Sequence, residues 1–236
     1  MKHLLMTLIL SSLLTIQVRA QISLPSLSQA NGQPASFIYG LRAGLNIANV
    51  SAGASKGTES KLGFMAGIHA DNSYGRFWGM RHELTYSKQG FRFRNATASG
   101  NVDLQYIYAT NLFTLNIGHV FQAHAGPQVG FLVSALADTV KHLNSSNVHN
   151  FFSIKGQTNR FNLGGCAGVE VYPWKGLLLG FRYNLSFSSL NRREATRDFY
   201  TNNAIARSRA TDGSIRLRHQ MLQVTCGWRL GTPAKK

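Results

Sequence analysis

Hydrophobic and polar residues alternate with a period of two through most of this chain. From Phe37 to Ala48 the apolar set is Phe37, Tyr39, Leu41, Ala43, Leu45 and Ile47, with Gly40, Arg42, Gly44 and Asn46 between them. Leu62 to Asp71 sets Leu62, Phe64, Ala66 and Ile68 against Gly63, Gly67, His69 and Asp71. Side chains on a strand point alternately to opposite faces, so each stretch reads as a two-faced β-strand. Phe77 to Lys88, Phe121 to Ala135, Phe161 to Val171, Leu177 to Ser189 and Leu222 to Leu230 repeat the pattern. His82 is an exception on an apolar face. In Asp103 to Ile117 the apolar phase changes between Tyr108 and Phe113, which predicts a bulge near Ala109 to Asn111. These stretches make eight strands, with no sustained helical period.

The connections alternate in length. Residues 49–61, 89–101, 136–160 and 190–214 are long and polar, whereas Asn72 to Gly75, the Ile117–Gly118 corner and Tyr172 to Gly176 are short. Long loops on one side and tight turns on the other are the rhythm of an outer-membrane barrel. The strands are also long enough, as a tilted membrane-crossing strand needs ~9–11 residues. The predicted fold is therefore all-β, an eight-stranded antiparallel up-and-down transmembrane β-barrel over residues 37–230, with both termini periplasmic.

Charge decides which face is wet. From Asn101 to Val140 only Asp103 and Asp138 are charged, too few for a face turned to water. Small residues with isolated charges suit the narrow interior of an eight-stranded barrel, and the apolar faces then meet lipid. Reversing the phase would put Arg42 or Arg182 into lipid at ~2–4 kcal/mol each near the midplane. The inward charges Arg42, Arg81, Glu83, Glu170, Arg182 and Arg229 are the candidate lumen network, read as an ion-paired plug ahead of a selectivity ring. Phe37, Tyr39, Trp78, Tyr86, Trp174 and Trp228 near the strand ends suit interfacial girdles.

The N-terminus changes the compartment. Met1-Lys2-His3, an apolar stretch from Leu4 to Leu14 and Val18-Arg19-Ala20 have the layout of a secretory signal peptide, residues 1–20, cleaved after Ala20. Residues 21–36 then form a short periplasmic segment and 231–236 a C-terminal tail. The whole chain carries 25 Lys and Arg against 9 Asp and Glu, a formal +16. Export makes nucleic acid an unsuitable partner and leaves anionic lipid or polysaccharide. The two cysteines, Cys166 and Cys226, fall on opposite strand faces, so no disulfide is expected.

Candidate chemistry is sparse. No Gly-x-Ser-x-Gly, His-Glu-x-x-His or phosphate-cradling glycine loop occurs. Gly164-Gly-Cys-Ala-Gly168 lies mid-strand, where its glycines make room inside the barrel. His82 or His219 beside a serine is the one catalytic arrangement to test, and His142 with His149 is too poor in ligands for zinc. No catalytic residue, metal or cofactor is assigned. The clearest functional signal is an arginine cluster in the last long loop, Arg192, Arg193, Arg197, Arg207, Arg209, Arg216 and Arg218, against Glu194, Asp198 and Asp212. Guanidinium forks suit bidentate phosphate contacts, which points to lipopolysaccharide or an acidic surface partner.

Gly40-Leu-Arg-Ala-Gly-Leu-Asn46, Glu83-Leu-Thr-Tyr-Ser-Lys-Gln-Gly90, Ala125-Gly-Pro-Gln-Val-Gly-Phe-Leu-Val-Ser-Ala135 and Arg182-Tyr-Asn-Leu185 together resemble the PorT-like outer-membrane β-barrel family of Gram-negative bacteria. The resemblance implies an integral outer-membrane protein, and a few relatives take part in protein secretion. Three functions are therefore expected in order: a non-enzymatic structural or surface-binding barrel, an accessory of a secretion or surface-assembly machine, and a lipid-modifying barrel enzyme.

Overall fold

The computed structural model describes residues 36–51, 58–74, 77–94, 98–118, 120–143, 146–156, 158–190 and 218–230. The expected signal peptide and C-terminal tail lie outside these residues, as do all of the loop arginines except Arg218. Nine strands occur in the order β1 (Ser36–Ser51), β2 (Thr58–Ser73), β3 (Trp78–Arg94), β4 (Ala98–Ile117), β5 (Phe121–Leu143), β6 (Ser146–Ser153), β7 (Phe161–Val171), β8 (Leu177–Ser186) and β9 (Arg218–Arg229).

All pairings are antiparallel. The sheet runs β4-β3-β2-β1-β9-β8-β7-β5 and closes through a β4–β5 ladder, giving an eight-stranded barrel. Closure leaves no wall strand with a free edge, as a bilayer requires. The ninth strand was not expected. β5 pairs with β7 from Phe121 to Phe131, and beyond that β6 pairs with it from Leu136 to Leu143. Residues 136–160, expected as a loop, are thus largely a hairpin continuing the wall outward. Likewise β3 and β4 extend through most of the expected 89–101 loop. In these extensions the sequence loses the regular alternation that marks the membrane portion.

The outer surface carries an apolar band between two aromatic belts. Tyr39, Trp78, Trp174 and Trp228 are exposed at the turn side, and Phe131, Phe161 and Phe187 at the loop side. At the loop level Phe64 packs against Tyr86, ring centroids 6.0 Å apart, and Phe131 against Phe161 at 5.5 Å. The side chain of Phe37, expected in the girdle, lies outside the described residues. The short turns use Gly118 at φ 69° and Gly176 at φ 91°, left-handed conformations that glycine adopts without a steric penalty.

Two expected details of the wall are corrected. No bulge lies at Ala109–Asn111: the β3–β4 register is unbroken from Trp78↔Leu115 to Arg94↔Ser99. Instead the irregularity falls between Gln105 and Tyr106, which face Ser134 and Leu132 and leave Val133 as an extra residue on β5. This shift turns Ala135 inward, where it is buried, although simple alternation from Phe121 had placed it toward lipid. β4 itself alternates strictly, with Val102, Leu104, Tyr106, Tyr108, Thr110, Leu112 and Thr114 all buried. The apparent phase change arose because the upper lumen is lined by apolar and aromatic side chains.

Candidate functional site

The lumen is filled in three levels. At the turn side lies an ionic level, built because strand alternation points charged residues of six strands inward, two of them, Arg81 and Glu83, from β3. Glu83 accepts from Arg182 Nη1 at 2.6 Å and Nη2 at 2.9 Å, and also from Arg42 Nη1. Arg42 Nη2 donates to Thr225 Oγ1 at 3.0 Å and lies 3.3 Å from Glu170 Oε1. Arg81 donates Nη1 to Glu170 and Nε to Asp71, with Nη2 3.1 Å from Asp71 Oδ2 and 2.8 Å from Gln122 Oε1. Arg229 Nη2 reaches the same Asp71 Oδ2 at 3.1 Å.

All six residues of the predicted network therefore stand in one cluster. Sequence reasoning had left out Asp71, although it had placed that residue on the inward face of β2. It also missed Gln122, His124 and Tyr172, whose roles emerge only when distant strands meet. Arg182 Nε donates to His124 Nε2 at 3.0 Å. Tyr172 lies in the β7–β8 turn, outside the spanning strands. Its hydroxyl accepts from Arg81 Nη2 at 2.8 Å and sits 2.8 Å from Gln122 Oε1 and 2.9 Å from Glu170 Oε2, while Arg229 stacks 3.8 Å over its ring. Burial is the largest influence on this phenol and raises its pKa, keeping it a donor.

Above the ions lies a level of neutral polar groups. Asn46 donates to Ser87 Oγ at 2.9 Å and accepts from Gln223 Nε2 at 3.0 Å, and Ser186 donates to Asn162 Oδ1 at 2.7 Å. Gln89 Nε2 donates to the Tyr108 hydroxyl at 2.9 Å, joining this level to the next. The outermost level is an apolar cluster that includes Val50, Phe91, Leu104, Tyr106, Tyr108, Leu132, Ile154 and Leu190. Tyr106 and Tyr108 stack at 5.4 Å. Glycine makes this filling possible: a Cβ on Gly168 would lie 2.8 Å from His124 Nε2, and one on Gly130 only 2.4 Å from the Tyr108 ring. Among the described residues, side chains thus fill the bore at all three levels.

The other candidates are dispersed. His82 Nδ1 pairs with Asn111 Oδ1 at 2.6 Å on the outward face, with no nucleophile involved. His219 is buried, its ring edge-on to Tyr106 at 6.2 Å, and neither ring nitrogen has a hydrogen-bond partner among the described residues. The side chains of His142 and His149 lie outside the described residues. Among the described residues no group of three or more His, Cys, Asp or Glu could hold a metal ion. Cys166 is buried and Cys226 exposed, on opposite faces of the wall. Arg218 is exposed at the outer end of β9.

A closed antiparallel sheet with an apolar belt outside and paired charges inside defines a transmembrane β-barrel. The chain belongs to the outer membrane protein beta-barrel domain family, whose sequence profile matches residues 21–192, and it is a protein of the bacterial outer membrane. No curated protein matches it in sequence. Among solved structures it is similar to Ail, the attachment invasion locus protein of Yersinia pestis, in complex with the heparin analogue sucrose octasulfate (TM-score 0.48, 13% identity, covering 83% of this chain and 99% of that one). It is also similar to Neisserial surface protein A (0.43, 17%, 83% and 99%) and to OprG from Pseudomonas aeruginosa (0.39, 10%, 84% and 98%).

Proposed function

We propose that the protein is a non-enzymatic, non-conducting barrel with a structural or surface-binding role, exercised by what it displays at the outer rim. The filled lumen carries this reading. Ionic, amide and apolar levels occlude the same bore in succession, so the interior offers neither a path for solutes nor an accessible reactive group. What can meet a partner outside the membrane is the outer rim with its loops.

The candidate anion-binding loop, Arg192, Arg193, Arg197, Arg207, Arg209, Arg216 and Arg218, would grip phosphates of lipopolysaccharide or an acidic surface protein. Its net positive charge supports this reading, since guanidinium–phosphate contacts are bidentate and charge-assisted. The test is a salt titration of lipopolysaccharide binding by the refolded mature chain, in parallel with planar-bilayer recording. Affinity is expected to fall as salt rises and to be lost when the loop arginines become glutamine, with no channel activity throughout. Salt-independent binding would remove the arginine reading, and steady conductance would remove the plugged-barrel reading. The PorT-like sequence resemblance supports a second reading, an accessory of a protein-secretion or surface-assembly machine using the same displayed surface.

A further inference from the structure

His82 and Asn111 form a polar pair on a surface that otherwise meets hydrocarbon. Along β3 the pair stands four residues from Trp78 of the turn-side belt and four from Tyr86 of the loop-side belt. At ~3.4 Å per residue and a tilt near 40°, this is ~10 Å from either belt, at the middle of the apolar band. Met80 and Leu84 flank His82, and Ala109 and Phe113 flank Asn111 on the same face. Unsatisfied polar groups at this depth are costly, because lipid offers no hydrogen bonds.

The pair is not self-sufficient. An amide oxygen only accepts, so His82 Nδ1 carries the proton in the 2.6 Å contact. In the neutral imidazole this leaves Nε2 as an acceptor, and Asn111 Nδ2 keeps its donors, both facing outward. Beside it the β4–β5 ladder is interrupted without a change of register: it pairs Thr110 with Gln128, then resumes at Phe113 with Ala125. The skipped residues are Asn111 and Leu112, opposite Gly126 and Pro127, and proline cannot donate to a ladder.

We propose that this face of β3 and β4 is a lateral contact, within the membrane, for a second copy of the chain. Symmetry selects the occupant. His82 and Asn111 are direct cross-strand partners and so lie at nearly the same depth. A two-fold axis along the membrane normal preserves depth and reverses left and right. It therefore sets His82 of each copy against Asn111 of the other, and each Asn111 Nδ2 donates to the opposing His82 Nε2. The contact is isologous, with every leftover donor meeting a leftover acceptor. Ala70, across from His82 on β2, and Ala109 are small enough to let the two walls approach.

The experiment uses the mature chain refolded into phosphatidylcholine vesicles at low protein-to-lipid ratio. Ala109→Cys in a Cys226→Ser background should give an oxidative dimer, whereas wild-type Cys226, on β9 at the opposite wall, should not. His82→Leu with Asn111→Leu should raise the dimer dissociation constant, read by fluorescence energy transfer on lipid dilution, about tenfold, the size that two membrane-buried hydrogen bonds give. The double variant should remain heat-modifiable on gels, since both changes replace polar groups with apolar ones facing lipid. Equal cross-linking at the two walls would overturn the proposal. So would an unchanged dissociation constant in the double variant, or cross-links in native outer membranes only to other proteins.

Discussion

Glu83 on β3 and Arg182 on β8 face each other across the lumen as a bidentate pair, at 2.6 and 2.9 Å, though 99 residues separate them in the chain. With no exposed surface on Glu83, Arg42 or their bond, the same carboxylate also neutralises β1. One side chain thus ties together three strands from the beginning, middle and end of the sequence.

Glu83→Gln should leave both guanidinium groups buried without their shared counter-charge. Removing one partner of a buried ion pair costs ~3–5 kcal/mol. A large fall in the urea midpoint of the refolded protein is expected, and a change below ~1 kcal/mol would mean that water reaches the ionic level.

Gly130→Ala should destabilise by overpacking, since the new methyl would lie 2.4 Å from the Tyr108 ring. The expected cost is ~1–3 kcal/mol. Tyr108→Leu should suppress it, so the double variant is more stable than the sum of the single changes, and additivity would show that the two residues do not meet.

The stacked levels predict redundancy in the plug. Arg81→Ala alone, or Tyr108→Ala with Leu132→Ala, should leave planar bilayers silent. Only their combination with Asn46→Ala and Gln223→Ala, which opens the amide level as well, should conduct. Current through either set alone would show that a single level makes the seal.

Depth along the outer wall should govern tolerance to charge. Leu84→Arg, two residues from the centre of the band, should cost ~2–4 kcal/mol in vesicles. Leu136→Arg, half-exposed on β5 beyond the Phe131 belt, should cost only ~0–1 kcal/mol. Equal costs would contradict the placement of the membrane.

Strand phase was legible wherever one face met lipid and the other met polar groups. Arg42, Glu83 and Arg182 could be placed inward from alternation alone, because lipid excludes the opposite choice. Above the membrane that contrast fails. Leu104, Tyr106 and Tyr108 point inward, as the lipid-facing Phe113 does not, and period-two reading turned this change of environment into a bulge. β6 was hidden because its sequence, SNVHNFFS, carries no two-faced pattern. Asp71, His124 and Tyr172 sat on recognised faces, but their convergence on Arg81 and Arg182 depends on shear around the closed sheet, which sequence spacing does not encode.

The origin of the ionic level has a consequence for how the protein reaches its membrane. Its charges come from six different wall strands, with carboxylates on β2, β3 and β7 and guanidinium groups on β1, β3, β8 and β9. A sheet that entered lipid before its ends had joined would carry Arg42 at one end and Arg182 near the other, too far apart for Glu83 to neutralise both as it does in the closed barrel. Half-assembled intermediates are therefore untenable in hydrocarbon. The first and last strands must arrive together, in a sheltered space, and the seam between β1 and β9 becomes the step that commits the chain to the bilayer.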